Sequence, residues 1–359
     1  TMACITEALG MGLPGSAAVP AVHADRLRIA EETGFRATQL IGSDLTPAKI
    51  ITPASVENAL RVLLAVSGST NAVIHLTAVA RRRGIKIDLD RFNALSDSTP
   101  VLVNLKPVGS HYMEDLFAAG GVEAVLREIK DLLDLSAMTV TGETLGQWLD
   151  KPPADPVDRT VVKPRNEPIE DEGGLVALFG SLAPGGAILK RSAADRRLLE
   201  HTGRAVVFSS LEDLANRIDS DDLDVSADDI LVLQNAGPAS DVAMPEAGYL
   251  PIPKKLARAG VKDMVRISDA RMSGTAYGAV VLHVTPDAAT GGPLALVETG
   301  DQIRLSVKEK RLDLLVDEAT LEKRRAARPK QEPPVRRGYD RLYHAHILQA
   351  DEGCDFDFC

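Results

Sequence analysis

The hydrophobic pattern divides the chain into a first part with helical spacing and a second part with short apolar runs. At Thr52-Pro53 a capping hydroxyl precedes a proline, and the apolar residues that follow recur every three or four positions. This arrangement is typical of a helix with one buried face. Further helices are predicted for 1–9, for 23–33 with Gly34 as the stop, from Asn71 onward, and for 113–133 with a break at Gly120-Gly121.

Residues 175–330 carry short runs rich in Val, Ile and Leu, and glycine or proline turns separate most of them. Such runs predict β-strands, and their number favours a compact, barrel-like domain with flanking helices. Two helices are expected within it, at 192–201 and 211–218. The predicted strands are 175–179, 187–190, 205–208, 230–233, 264–267, 279–284, 294–298, 302–307 and 312–316.

A stretch rich in proline and charge lies between these two patterns. It contains five prolines and ends at Gly173-Gly174, a composition typical of a linker or an exposed crossover. We therefore predict an α/β chain whose first part is mostly helical. Its predicted parts are that helical region over 1–150, a linker over 151–174, a barrel-like domain over 175–330 and a tail over 331–359.

Composition and charge exclude several classes of protein. Among 359 residues, 41 are basic and 51 acidic, so the net charge of −10 argues against general binding to nucleic acid. No apolar run approaches the about 20 residues that span a bilayer. Neither the basic start nor the apolar stretch of a signal peptide is present. Three cysteines are too few and too scattered for a disulfide framework. We expect a cytoplasmic protein.

The first candidate site is a small polar cluster, Ser67-Gly-Ser-Thr-Asn71, at a predicted helix start. Free backbone N–H groups there favour an anion such as a carboxylate, which would involve Ser69, Thr70 and Asn71. His75 follows one helical turn later. The alternatives are a capped interhelical turn for the cluster and a core position for the histidine.

The second candidate is Glu246, in a loop that follows the predicted strand 230–233. Loops at strand ends often carry function, and a carboxylate suits a hard cation such as Mg²⁺. The alternative is a solvated loop glutamate.

The third candidate is the segment Ser268-Asp-Ala-Arg-Met-Ser-Gly-Thr-Ala-Tyr-Gly278, which is rich in small residues and hydroxyls. Ser273, beside Thr275, can serve as a nucleophile or base, and Arg271 can hold a carboxylate through two hydrogen bonds. The segment differs from the serine elbow of hydrolases. A glycine-rich loop with incidental serines is the alternative.

Several motifs stand in the order of one known family along nearly the whole chain. They include the two segments Ser67–His75 and Ser268–Gly278, together with Met244-Pro-Glu246. With them the chain resembles the dihydroxy-acid and phosphogluconate dehydratase family. Within that family, Asp269-Ala-Arg-Met-Ser-Gly-Thr-Ala276 and the tail 349–358 resemble the sugar-acid (aldonate) branch, such as the L-arabonate and D-xylonate dehydratases.

The resemblance implies a reaction and its cofactors. A 2,3-dihydroxy acid loses water to give an enol, which becomes a 2-oxo-3-deoxy acid. A [2Fe-2S] cluster acts on the leaving C3 hydroxyl and Mg²⁺ holds the carboxylate and C2 oxygen. By the same resemblance Ser273 takes the C2 proton, Thr275 lies beside it, Glu246 binds Mg²⁺, and the enzyme is a homodimer or homotetramer with a sugar acid as its small-molecule partner.

The chain departs from this family in its cysteines. The resemblance places the cluster ligands upstream of a motif like Thr1-Met-Ala, whereas Cys4, Cys354 and Cys359 occupy no ligand position. The resemblance thus implies that the helical region 1–150 is the C-terminal remnant of a larger α/β, cluster-binding domain. We therefore expect this chain to lack an N-terminal part of a sugar-acid dehydratase and to be inactive alone. The alternative is a short, non-catalytic paralogue that acts as a binding or partner subunit.

Overall fold

The computed structural model describes the whole chain except residues 154, 247–249, 274–276 and 329–336. The described residues group into two units. One comprises Thr1–Ala72 and Val79–Leu175, and the other comprises Val73–Ala78 and Val176–Cys359. We refer to them as the helical unit and the barrel unit.

The helical unit is built from α-helices joined by short turns. At the start of α4, Thr52 and Ser55 cap each other, since each side chain accepts a hydrogen bond from the other residue's backbone N–H. The apolar stripe of this helix is buried as its spacing predicts. The helices are α1 (Met2–Ala8), α2 (Ala24–Leu40), α3 (Pro47–Ile50), α4 (Pro53–Ala65), α5 (Asn71–Arg81), α6 (Leu89–Asp97), α7 (Met113–Ala118), α8 (Gly121–Glu128) and α9 (Leu145–Leu149).

The predicted end of α2 at Gly34 is wrong, because the helix continues to Leu40. A glycine within an exposed helix costs only about 1 kcal/mol relative to alanine. The added turn also has a tertiary anchor, since the Arg36 Nε donates to the Val140 carbonyl at 2.8 Å.

Glu7 is a buried carboxylate in α1. Its two oxygens accept backbone hydrogen bonds from Gly15 at 2.9 Å and Ala17 at 2.8 Å. Burial nevertheless raises the pKa of Glu7 from 4.5 to about 7, because these bonds only partly replace the lost hydration.

This pKa predicts how Glu7→Gln changes the dependence of stability on pH. The folded state holds the Glu7 proton more tightly than the unfolded state, so the resulting stabilisation is complete below about pH 4.5 and is lost as the pH rises through 7. We expect the stability of the wild type, measured relative to Glu7→Gln, to fall by on the order of 3 kcal/mol between pH 4 and pH 8. Urea unfolding of both proteins across this pH range measures the difference in their stability. Parallel plots of stability against pH for the two proteins would contradict the raised pKa of Glu7.

The barrel unit contains one eight-stranded sheet in the order β1-β2-β6-β5-β4-β3-β7-β8. The four central strands β3, β4, β5 and β6 are parallel, whereas the outer pairs are antiparallel. The strands are β1 (Val176–Leu178), β2 (Gly186–Leu189), β3 (Glu200–Phe208), β4 (Ile230–Leu233), β5 (Arg266–Ser268), β6 (Val280–Thr285), β7 (Gln302–Ser306) and β8 (Arg311–Leu314).

The sheet curls until its first and last strands meet. Phe179, directly after β1, forms a parallel bridge with Arg311 in β8, and its N–H donates to the Lys310 carbonyl at 2.9 Å. Aliphatic side chains from all eight strands fill the interior. The predicted class, helices followed by a barrel-like domain, is therefore confirmed. The helices described beside the sheet are α10 (Leu211–Arg217), α11 (Lys254–Arg258), α12 (Glu318–Ala327) and α13 (Gly338–His346).

Two predicted elements of the barrel unit are wrong. In place of a helix over 192–201 there are two short 3₁₀ turns, and β3 already begins at Glu200, because pairing with β7 overrides the local preference for helix. In place of a strand over 294–298 there is a 3₁₀ turn, Pro293–Leu296. Its Leu294 carbonyl accepts from the Gln234 side chain at 2.7 Å instead of joining a strand ladder.

Among the described residues, no helix combines the length and the apolar character that a transmembrane segment needs.

Candidate functional site

The parallel strands of the barrel unit bring two of the sequence candidates to one edge of the sheet. Strands β4 and β5 are neighbours, so the loops that follow them leave from the same edge. The loop after β4 leads to Glu246, and the loop after β5 leads through Arg271 to Ser273. Both Glu246 and Ser273 are exposed.

The side chain of Asp269 connects these loops through hydrogen bonds. Its fully buried carboxylate accepts the backbone N–H of Ala236, after β4, at 3.0 Å and that of Ala288, after β6, at 2.9 Å. Burial raises the pKa of Asp269 to about 6, and the two hydrogen bonds oppose that rise. One side chain thus fixes the starts of three successive strand-end loops.

Gly237 allows a close approach between two of these loops. A Cβ atom at this position would lie 2.5 Å from the Cβ of Asp287, a separation that no packing tolerates. The Asp287 carboxylate in turn accepts the N–H of Ala239 at 2.7 Å. The path of the chain toward Glu246 is therefore fixed by steric fit and by hydrogen bonds.

Arg271 joins the Ser273 loop to the Glu246 loop directly. Its Nε donates to the Met244 carbonyl at 2.9 Å, two residues from Glu246 and two from Ser273. Ala243 and Met244 both have left-handed φ values, 53° and 51°, which non-glycine residues rarely adopt. Such local strain persists where surrounding bonds hold it, and it is common at functional sites.

His75 belongs to the same neighbourhood. It lies in the α5 segment that belongs to the barrel unit, and it is half-buried. Burial lowers the pKa of His75, the charge of Arg271 lowers it further, and that of Glu246 opposes the change. The structure therefore brings together four of the residues proposed from the sequence: His75, Glu246, Arg271 and Ser273.

The other candidates are placed differently. Ser69, Thr70 and Asn71 belong to the helical unit, where the Ser69 Oγ accepts the Asn71 N–H at 3.2 Å and the Thr1 Oγ1 accepts the Ser69 N–H at 3.1 Å. These hydrogen bonds are typical of a capped interhelical turn, which was the alternative to an anion site in the sequence analysis. Thr275 lies outside the described residues.

Two buried residues near these loops were missed by the sequence analysis. Lys190, after β2, and His283, in β6, are both at least nine-tenths buried. His283 has a left-handed φ of 58°, and burial, with the charges of Arg271 and His75, lowers its pKa to about 3. Lys190 ends an apolar run and His283 lies within one, and a single lysine or histidine carries no motif, so the sequence offered only the weak signal of a polar residue in a strand.

The cysteines do not fit an iron–sulfur cluster. All three are free thiols, and the described residues contain no group of three His, Cys, Asp or Glu side chains that could hold a metal ion. Burial raises the pKa of Cys354 to about 12, which disfavours the thiolate that binds metal. For Mg²⁺ the fit is better, since that ion often takes only one or two protein carboxylates and completes its shell with water and substrate. Glu246 can supply one such carboxylate.

Comparison with known proteins identifies relatives for both parts of the chain. Residues 1–148 match the family model for the dihydroxy-acid/6-phosphogluconate dehydratase N-terminal domain, and residues 160–354 match the model for its C-terminal domain. L-arabonate dehydratase from Azospirillum brasilense is 46% identical over 99% of this chain and 62% of its own length. 6-Deoxy-6-sulfo-D-gluconate dehydratase from Pseudomonas putida is 44% identical over 100% of this chain and 62% of its own.

A dihydroxy-acid dehydratase from Methanothrix thermoacetophila is also 44% identical, over 98% of this chain and 64% of its own length. The chain thus spans slightly less than two thirds of the length of the curated relatives it matches.

Proposed function

Because this chain belongs to the dihydroxy-acid/6-phosphogluconate dehydratase family, we propose that it acts in the dehydration of a sugar acid, an aldonate. In this reaction a 2,3-dihydroxy acid loses the C2 proton and the C3 hydroxyl as water, and the resulting enol becomes a 2-oxo-3-deoxy acid. The observation that carries the proposal is the hydrogen bond from Arg271 to Met244, because it holds the Ser273 loop beside the Glu246 loop. Relatives that act on arabonate and sulfogluconate favour an aldonate as the substrate class.

Ser273 is the proposed base. An ordinary serine hydroxyl is far too weak an acid to be ionised at neutral pH, so a serine base needs positive charge nearby. Arg271, two residues away, contributes such charge. The Ser273 alkoxide would take the C2 proton, and the electron pair left behind would form the C2–C3 double bond as the C3–O bond breaks.

Glu246 is the proposed protein ligand for Mg²⁺. When bound, this ion supplies positive charge to the carboxylate and the C2 oxygen of the substrate. The iron–sulfur cluster is proposed from the family resemblance alone, since the cysteines of this chain do not fit it.

The function is tested by turnover in the full-length natural protein, loaded with iron, sulfide and Mg²⁺. L-arabonate, D-xylonate and D-gluconate are compared with a branched 2,3-dihydroxy acid, and the 2-oxo product is measured. Turnover of at least one sugar acid in preference to the branched acid is expected. A loaded protein that binds these acids and converts none of them would contradict the proposal and support a non-catalytic binding subunit.

Glu246→Gln tests the magnesium ligand. We expect turnover to fall at least 10-fold and the Mg²⁺ concentration for half-maximal activity to rise, because the amide loses the negative charge that binds the ion. Glu322→Gln, at an exposed carboxylate on α12, is the matched control and should change neither quantity. An unchanged magnesium dependence in Glu246→Gln would remove Glu246 from this role.

A further inference from the structure

Lys190 is a buried lysine without a counter-ion. It is 9% exposed, and within the described part of the chain its ammonium has no hydrogen bond and no ion pair. Burial alone lowers the pKa of Lys190 to about 8, and no charged group contributes to that shift. A lysine in this state costs folding free energy, which a bound anion would recover.

The register of the sheet places Lys190 on its outer face. Ala187 and Leu189 of β2 belong to the barrel interior, so Lys190, the next residue after Leu189, projects from the opposite face. Leu189 pairs with Val281, and continuation of this register sets Lys190 opposite Val280.

Described residues on both sides of Ser273 lie beside this part of the sheet. Met272 packs against Val280 and Leu282, the outward residues of β6, and Ser273 follows directly. Farther along the chain, the Gly278 N–H donates to the Ala193 carbonyl at 3.0 Å, three residues after Lys190. Ser273 is therefore flanked by residues that lie beside the same strand pair, β2 and β6, as Lys190.

Lys190 is also less completely enclosed than His283. It keeps 9% of its surface exposed, whereas His283, whose ring nitrogens have no hydrogen-bond partner among the described residues, keeps 3%. A buried cation without a counter-ion favours the binding of an anionic group.

We propose that Lys190 binds one carboxylate oxygen of the sugar acid, next to Ser273. This inference rests on the proposed function and adds a cationic residue to it. The geometry of the substrate is consistent with it, because the C2 carbon that loses its proton is bonded to the carboxylate carbon. A residue that holds the carboxylate must therefore lie within a few ångströms of the base. A neutral polyol with the same hydroxyls would gain nothing from Lys190.

The experiment measures ligand binding in the full-length natural protein carrying Ser273→Ala, so that the acid is not consumed. Calorimetry compares L-arabonate with L-arabinitol, the neutral polyol, in this background and with Lys190→Met or Lys190→Arg added. We expect Lys190→Met to weaken L-arabonate binding about tenfold or more and to leave L-arabinitol binding unchanged. Lys190→Arg should recover part of the lost L-arabonate affinity, because it restores the positive charge.

A second measurement needs no change at Lys190. A lysine with a depressed pKa reacts readily with acylating reagents near pH 8, and mass spectrometry quantifies its labelling. L-arabonate should protect Lys190 from acylation and L-arabinitol should not. Equal labelling with and without the acid, or acid binding that is unchanged in Lys190→Met, would overturn the proposal while leaving the dehydratase function standing. Failure of the loaded wild type to convert or bind any sugar acid would overturn both.

Discussion

Replacing Ser273 by alanine is expected to abolish dehydration, with turnover lower by about 10³-fold or more, because the substitution removes the group proposed to take the C2 proton. The measurement is product formation from L-arabonate by the loaded full-length protein. Exchange of the C2 hydrogen with solvent deuterium should disappear as well. The visible absorption of a bound cluster should stay as in the wild type, since the substitution removes one exposed hydroxyl.

Ser209→Ala is the matched control for this experiment. Ser209 is an exposed serine that follows β3, the parallel neighbour of β4, so it leaves the same edge of the sheet. Its loss should leave turnover within about twofold of the wild type, as expected for a surface substitution outside the site. Retained C2 exchange in Ser273→Ala would assign proton removal to another residue.

Much of the site could be predicted because its residues lie in loops that directly follow recognisable strands. The apolar runs at 230–233 and 264–267 marked β4 and the start of β5, and the polar segments after them contain Glu246 and Ser273. Their proximity follows from the parallel pairing of β4 and β5, which no single run reveals.

What the sequence could not supply depends on contacts between distant residues. In the sequence, Asp269 is one of several polar residues in a predicted loop, although its carboxylate accepts backbone hydrogen bonds from two other loops. The carboxyl-terminal extension of α2 beyond Gly34 and the early start of β3 likewise depend on partners at Val140 and in β7. Lys190 was missed for the same reason, since its importance lies in the charge that no neighbour offsets.

Asp263→Ala is expected to destabilise the barrel unit by about 3–5 kcal/mol, because it removes a buried carboxylate that pairs with a buried guanidinium. The side chains of Asp263 and Arg266 are 4% and 7% exposed, and they are joined at 3.2 Å. The same carboxylate accepts the backbone N–H groups of Asp195 and Ala279, both at 2.9 Å, and that of Met264 at 2.8 Å, so the substitution also removes the acceptor of three partly buried donors. Urea unfolding followed by circular dichroism measures the loss.

Asp224→Ala provides the comparison that separates burial from charge. Asp224 also pairs with an arginine, Arg204, at 2.6 Å, but its side chain is 86% exposed and Arg204 keeps a second partner in Asp229. Solvated pairs contribute little to stability, so this variant should unfold close to the wild type. Equal losses of stability in the two variants would contradict the view that burial makes the Asp263–Arg266 pair contribute more to stability.

The Asp263–Arg266 pair also affects the site, because the Arg266 Nη2 donates to the Tyr277 carbonyl at 2.7 Å, four residues after Ser273. Asp263→Ala should therefore lower turnover even under conditions where the protein stays folded, since the guanidinium that bonds to Tyr277 loses the Asp263 carboxylate that helps to hold it in place.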